Sequence, residues 1–368
     1  MMERRQIVQL WRRGGAAVLV TLVRVSGSSY RRVGARLLLD ISGDYAGTIS
    51  GGCLETEVIR KAAWMVRDGA VVQRYSTMFD DTAEIPFGLG GGGEVDLLIE
   101  QADTPECRAL LDAMEAALAG NESTVVTWLP GDRKRLRRVV MDAHGHVRFA
   151  SDGLAEKKID CARGLKVGGD YEGRYVEELR APQRLFVLGA GDDAKPLVSM
   201  AALLGWSVAV ADGRAQLARV ERFPQAERVL ALGDAGVEEM GITARDAVVV
   251  MTHSYEQDRE ILAALLPIAP RYLGLLGARH RSALLVSEAA AMIGRPIAEC
   301  CERVYAPVGL DLGGDGPEAI ALAVIAEVQA CCEGKLGASR RLTAENVAEQ
   351  IARGGASRYL QAQCSMGK

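Results

Sequence analysis

The chain has 368 residues and nowhere approaches the ~20 consecutive apolar residues of a membrane helix. Its first residues, Met1-Met2-Glu3-Arg4-Arg5, include no apolar stretch of signal-peptide length, so neither an export signal nor a membrane anchor is expected. Positive charge is not in excess. The formal net charge is −4, which argues against a general nucleic-acid binder, since such proteins need a basic surface. Cysteine is too sparse for a disulfide scaffold: eight residues, among them the vicinal pairs Cys300-Cys301 and Cys331-Cys332, which lack zinc-finger spacing. A reducing cytoplasm fits this usage. No internal repeat or low-complexity tract is visible.

At 49% hydrophobic and 25% charged residues, the composition is that of a soluble globular protein. The length is too great for one ordinary core and predicts two domains. Glycine is abundant, with 41 residues and no collagen-like period. The excess therefore belongs to loops, caps and ligand turns.

The pattern changes along the chain. Residues 1–180 read as an α+β domain with a closing linker. A helix is expected over 2–13 and strands over 16–25, 35–41, 45–49, 71–78 and 94–100. Helices are expected over 54–67 and 107–119, and further strands over 124–129, 136–141 and 146–149. The basic run Arg133, Lys134, Arg135, Arg137, Arg138 reads as a solvated loop. Residues 165–183 read as linker. Residues 181–335 alternate apolar strands (185–188, 208–211, 228–232, 247–251, 272–276, 304–306) with helices. That is the signature of a doubly wound, Rossmann-like parallel sheet covered on both faces. Residues 336–368 form a tail with one expected helix over 344–352. The fold class is thus α/β, a C-terminal Rossmann-like sheet with an N-terminal α+β domain.

Two glycine turns carry the chemistry. Ser50-Gly51-Gly52-Cys53-Leu54-Glu55 stands where a strand gives way to a helix. A thiol at Cys53 would lie near the first free N–H groups of that helix and the positive end of its dipole, which favour the thiolate. A thiolate is a nucleophile and a metal ligand, whereas the bland alternative is a small buried thiol. The second turn is Gly189-Ala190-Gly191-Asp192-Asp193-Ala194. It fits G-x-G-x-x-A after a strand and before a helix, with Asp212 placed to meet a ribose hydroxyl. Asp192 and Asp193 stand where a phosphate would come and repel an anion unless turned away or bridged by a cation. Two more loops leave strand ends: Thr252-His253-Ser254-Tyr255, with a His able to donate, accept or ligate, and Gly277-Ala278-Arg279, with Arg281 nearby, suited to gripping a phosphate.

These segments together resemble the XdhC/CoxI family, accessory proteins of molybdenum hydroxylases. The N-terminal match runs through Gly27 to Arg36 and Gly47 to Glu55. The C-terminal match comprises the glycine turn, the Thr252-His253 loop, Tyr272 to Arg279 and Ala306 to Gly313. The resemblance implies a chaperone that binds molybdenum cofactor (molybdopterin), protects it and inserts it into an apo molybdenum hydroxylase such as xanthine dehydrogenase. Cofactor-binding residues are then expected at Ser50, Gly51, Gly52, Cys53, Glu55, Gly189, Gly191, Asp192, Asp212, His253, Gly277 and Arg279, with Cys53 as the metal ligand. A cysteine desulfurase and a second copy, as a homodimer, are the further partners expected. The chain departs from the family pattern at Gly91, Asp192 and Ser254. An NAD(P)-dependent oxidoreductase built on the Rossmann half is the alternative.

Overall fold

A computed structural model describes residues 1–27, 29–76, 93–131, 135–169, 171–233 and 236–337. The expected loop acids Asp80 and Asp81, the glycines Gly88 to Gly92 and the tail helix over 344–352 lie outside the described residues.

The N-terminal half is built from two antiparallel sheets. The first contains β1 (Ala16–Ser26), β2 (Arg36–Asp40), β3 (Tyr45–Gly47), β4 (Val71–Ser76) and β5 (Glu94–Gln101) in the order β3-β2-β1-β5-β4. Helix α1 (Met2–Arg12) precedes it, and α2 (Cys53–Met65) crosses from β3 to β4. Leu54, Val58 and Ala62 of α2 pack on Val20, Leu22, Leu97 and Ile99. After α3 (Pro105–Leu118) come β6 (Ser123–Trp128), β7 (Arg137–Asp142), β8 (Val147–Ala150), α4 (Glu156–Arg163) and β9 (Arg174–Leu179), whose strands form a second sheet in the order β8-β7-β6-β9. α1 and α3 share one core with both sheets: Ile7, Val8 and Leu10 meet Leu19, Leu110, Met114, Val125, Val140 and Leu179.

Two expectations fail in this half. The basic run is not simply a solvated loop. Arg137 and Arg138 belong to β7, and Arg138 is buried to 1% exposure. It is tolerated there because Glu100 of β5 meets its guanidinium with two hydrogen bonds of 2.9 and 3.0 Å, while Thr127 Oγ1 and the Glu106 carbonyl accept its other N–H groups. Burial alone would discourage the charge, but the paired carboxylate raises the guanidinium pKa. The stretch expected as linker contains β9, paired with β6 from Ser123↔Leu179 to Trp128↔Arg174. Its Glu177 forms a second buried pair, with Arg36 of β2 at 2.5 and 2.6 Å. Three charged residues among its six, Arg174, Glu177 and Glu178, break the apolar pattern and disguised this strand as a connection.

From Arg184 on, β10 (Arg184–Leu188), β11 (Ser207–Asp212), β12 (Arg228–Ala231), β13 (Ala247–Val250) and β14 (Tyr272–Leu275) form one parallel sheet ordered β12-β11-β10-β13-β14. The run expected as a sixth strand, 304–306, contributes only one parallel bridge, Gly274↔Tyr305. Helices α5 (Ala194–Leu203) and α9 (Pro317–Cys332) cover one face, and α6 (Tyr255–Ile268), α7 (Arg279–Ile293) and α8 (Ile297–Arg303) the other. Each strand is apolar on both sides because each face has its own core. The order of strands reverses at β10 and β13, and such a switch point opens a crevice at the strands' C-terminal ends.

The lobes meet at the opposite edge of this sheet. Arg5 pairs with Glu227, just before β12, at 2.9 Å, and Glu122 with Arg245, just before β13, at 3.4 Å. Met1 and Met2 pack on Gly205, just before β11.

Candidate functional site

The Ser50 loop owes its shape to one buried carboxylate. Glu55 lies in the first turn of α2 at 5% exposure. It accepts the Ile49, Ser50 and Gly52 N–H groups at 3.0, 2.7 and 3.1 Å, and the Ser50 hydroxyl as well. Ser50 Oγ in turn accepts the Leu54 N–H at 3.3 Å. Burial pushes the Glu55 carboxyl up, but the Ser50 hydroxyl and the loop amides outweigh it, so its pKa is lowered overall. Ser50 and Glu55 therefore position the loop. The surface left for a ligand is the exposed backbone of Gly51 and Gly52, the latter at φ +116°. Cys53 is the first residue of α2, next to amides that have no partner within the helix; its side chain lies outside the described residues.

At the switch point the structure gathers Gly189, Gly191, Asp192, Asp212 and His253. Gly189 sits at φ +132°, where a Cβ would fall 2.2 Å from the Met251 carbonyl oxygen, so the turn and β13 can approach only through glycine. Asp212 is fully buried. It accepts the Ala190 N–H at 2.8 Å and the Arg214 N–H at 2.8 Å, and its two oxygens take the Arg214 guanidinium at 2.9 and 2.8 Å. The carboxylate expected to meet a ribose is thus engaged in bracing the turn. Asp192 pairs with Lys195 at 2.7 Å and Arg222 at 3.0 Å, which lowers its pKa. Asp193 meets Nε2 of His253 at 2.9 Å. His253 holds φ +64°, a conformation uncommon outside glycine and typical of a constrained loop. Thr252 is fixed by the buried Asp258, which also takes Arg281 at 2.7 Å.

On the neighbouring strand end, Gly277 (φ +144°) leads into α7. Arg279 is exposed there, without a hydrogen-bond partner among the described residues, while Arg281 is the arginine tied into the loop network. The expected residues therefore form two groups, Ser50 to Glu55 in the N-terminal lobe and the remainder on the Rossmann edge. Among the described residues no hydrogen bond or ion pair joins them. The lobes touch at the N-terminal ends of the parallel strands, and β10 alone carries the glycine turn roughly 16 Å away from that junction, at ~3.3 Å per residue. Among the described residues no three His, Cys, Asp or Glu converge as a metal cage.

Sequence reasoning missed Arg222 and Lys195 as partners of Asp192, and Arg214 as the partner of Asp212. Arg214 alone was accessible, since an Arg two residues beyond a strand-end Asp can turn back on it.

An antiparallel lobe with a Gly-Gly-Cys helix start, joined to a Rossmann lobe with a braced glycine turn, defines the class of protein. Residues 10–76 match the model of the XdhC and CoxI family, and residues 185–328 that of the XdhC Rossmann domain. The chain belongs to the XdhC and CoxI family. It is 28% identical over 316 residues to a probable xanthine dehydrogenase subunit of Bacillus subtilis, covering 85% of this chain and 92% of that one. It is 26% identical over 319 residues to the molybdenum cofactor insertion chaperone PaoD of Escherichia coli, covering 86% and 83%. A crystal structure described as a xanthine dehydrogenase from Bacillus halodurans superposes with a TM-score of 0.78 at 26% identity, covering 94% of this chain and 99% of that one.

Proposed function

We propose that this protein is a molybdenum cofactor chaperone that binds the cofactor, shields it and inserts it into a molybdenum hydroxylase such as a xanthine dehydrogenase. The observation that carries the reading is the Ser50–Gly52 backbone, held by Glu55 so that exposed glycine backbone leads directly into Cys53 at a helix start. The donor chemistry fits. A thiolate is a soft ligand suited to a molybdenum–sulfur centre, and a metal held there would need to bring its other ligands with it, as molybdopterin does through its dithiolene. When bound, that group would supply the molybdenum centre; the chain would supply one sulfur ligand, Cys53, and the close-approach backbone of Gly51 and Gly52.

The NAD(P)-dependent oxidoreductase reading is weaker. Asp212 has its oxygens taken by Ala190 and Arg214, and where a pyrophosphate would lie Asp192 is held in ion pairs and Asp193 is hydrogen-bonded to His253. The Rossmann edge is proposed instead as a surface completed by a second copy in a homodimer or by the client enzyme, with a cysteine desulfurase as a further partner.

The test is metal and pterin analysis of full-length protein from a molybdate-fed host. Wild type should carry molybdenum and pterin together and activate an apo-hydroxylase. Cys53→Ala should lose most of both at an unchanged melting temperature. Equal pterin in the two proteins, or none in wild type, refutes the reading.

A further inference from the structure

The segment Tyr30 to Arg36 lines a cleft of about 400 Å³ together with Arg4, at the base of α1. Four arginines line it: Arg4, Arg31, Arg32 and Arg36. Among the described residues two carboxylates form ion pairs with them. Arg36 is paired with the buried Glu177, and Arg31 with Glu3. Arg4 donates to the Arg180 carbonyl at 2.6 Å and has no carboxylate within 4.0 Å among the described residues. Arg32 is exposed and has no side-chain partner among them. Arg36 lies at 7% exposure with its Nε–H unpartnered.

This is an unusual state for arginine. A guanidinium removed from water costs free energy unless an anion meets it, and two held close together cost more. Burial, then the neighbouring Arg36, pull the Arg4 pKa down to about 10 against the smaller opposing pull of Glu177. The charge nevertheless stays at neutral pH, so four arginines face two carboxylates and the cleft keeps an excess of positive charge. The cleft also adjoins the Ser50 loop. Glu3 bridges Arg31 to the Thr48 hydroxyl, two residues before Ser50. A Cβ at Gly51 would lie 3.8 Å from the Tyr30 ring. Arg4, Val33, Gly34 and Arg36 also line a second cavity of about 1110 Å³.

We propose that this cleft is a phosphate site, with Arg4 and Arg32 as the direct donors and Arg36 beneath them, and that it takes the phosphate end of an organic ligand whose other end reaches the Ser50–Cys53 loop. The second half of that statement rests on the chaperone reading above; the anion site does not. Guanidinium groups suit phosphate because their planar N–H pairs match its oxygens. Tyr30 stands between the two ends and offers a ring face to the body of the ligand. The phosphate is thus assigned to the N-terminal lobe, and Arg279, on the other edge of the molecule, is left out of the site.

The experiment uses the full chain and two readouts: calorimetric titration with inorganic pyrophosphate, and the pterin that co-purifies from a molybdate-fed host. Arg32→Gln is exposed and serves as the variant that keeps the fold; Arg4→Gln is added with a melting curve as control. Each should weaken pyrophosphate about tenfold, the loss expected for a hydrogen bond to a charged group, and the wild-type affinity should fall with added salt. Both variants should also lose pterin. Cys53→Ala should lose pterin yet bind pyrophosphate as wild type does. If wild type does not bind pyrophosphate, or Arg32→Gln binds it unchanged, the anion site is overturned. If pyrophosphate binding falls while pterin stays constant, the site binds free phosphate compounds and its link to the cofactor is overturned. If wild type carries no pterin but the arginine variants lose pyrophosphate, the chaperone reading fails and the anion site stands.

Discussion

The two lobes place their charges in opposite ways. On the Rossmann edge the acids meet bases at loop tips: Asp192 with Lys195 and Arg222, Asp193 with His253, Asp212 with Arg214, Asp258 with Arg281. The bases of these pairs all keep part of their surface in water. In the N-terminal lobe the two most buried pairs among the described residues, Arg138–Glu100 and Arg36–Glu177, join strands of different sheets, and each partner is at most 9% exposed. Beside them Arg4 and Arg32 have no carboxylate within 4.0 Å among the described residues. The difference follows from architecture. A parallel sheet with a core on each face has no room for charge except at its ends. Two antiparallel sheets sharing one apolar core tolerate a charge between them only where strands from both can supply partners. A buried pair of this kind is weak evidence for stability, but losing half of one is costly. Its value here is registration, since β7 meets β5, and β9 meets β2, only at one offset.

The largest effect expected from breaking this contrast is therefore in the N-terminal lobe. Arg138→Ala leaves Glu100 buried without a partner and should destabilise the protein by about 3–5 kcal/mol. Replacing both, as Arg138→Met with Glu100→Leu, should recover most of that loss. Denaturant melts of the two variants measure it. A single substitution costing under about 1 kcal/mol would show that the pair does not hold the sheets together.

The same contrast explains what could be read from the sequence. The Rossmann lobe was legible because strands apolar on both faces, separated by helices, admit few arrangements; β10 to β14 all fall where the pattern put them. Only the short run near Tyr305 was over-read, because its apolar residues pack beside β14 while making a single bridge. The N-terminal lobe was legible as α+β, but β9 and the burial of Arg138 were not. Arg-Tyr-Val-Glu-Glu-Leu reads as polar unless Glu177 is known to have Arg36 opposite it, and that pairing spans 141 residues. The candidate site divides similarly. The Ser50 to Glu55 motif marked a loop correctly, yet Glu55 turned out to hold the loop together. A carboxylate three residues into a helix can serve as a cap or a ligand, and the spacing alone does not choose.

A middle-sized effect is expected at that cap. Glu55→Gln keeps the size but replaces an acceptor-only group with one that also donates, so some of the Ile49, Ser50 and Gly52 contacts must be lost. The expected cost is about 1–3 kcal/mol, together with loss of pterin retention. The pH dependence has a definite sign. The folded-state pKa of Glu55 is lowered from its ordinary value. Its contribution is therefore full above the unfolded glutamate value of about 4.3 and is lost as pH falls through the lower, folded value. Wild type should lose stability in that acid window more steeply than Glu55→Gln. Parallel acid-melting curves for the two would show that Glu55 does not brace the loop.

The smallest effect is expected on the Rossmann edge, and it is the sharpest check of the contrast. Asp193 and His253 are 26% and 57% exposed, and pairs of that kind contribute about 0–1 kcal/mol. Asp193→Asn should therefore shift stability by no more than about 1 kcal/mol, and high salt should reduce the difference further. The same reasoning bears on nucleotide binding. Two bare carboxylates beside the glycine turn would repel a pyrophosphate, and Mg²⁺ would then strengthen NAD binding by bridging them. With Asp192 held by Lys195 and Arg222, its charge is already met, and Asp193 is hydrogen-bonded to His253, so a divalent ion finds little free carboxylate to bridge. Calorimetric titration of NAD should give the same weak affinity with and without Mg²⁺. A tenfold gain on adding Mg²⁺ would mean that the acids face the ligand unpaired in solution. It would return the Rossmann edge to consideration as a nucleotide site and remove the distinction drawn between the lobes.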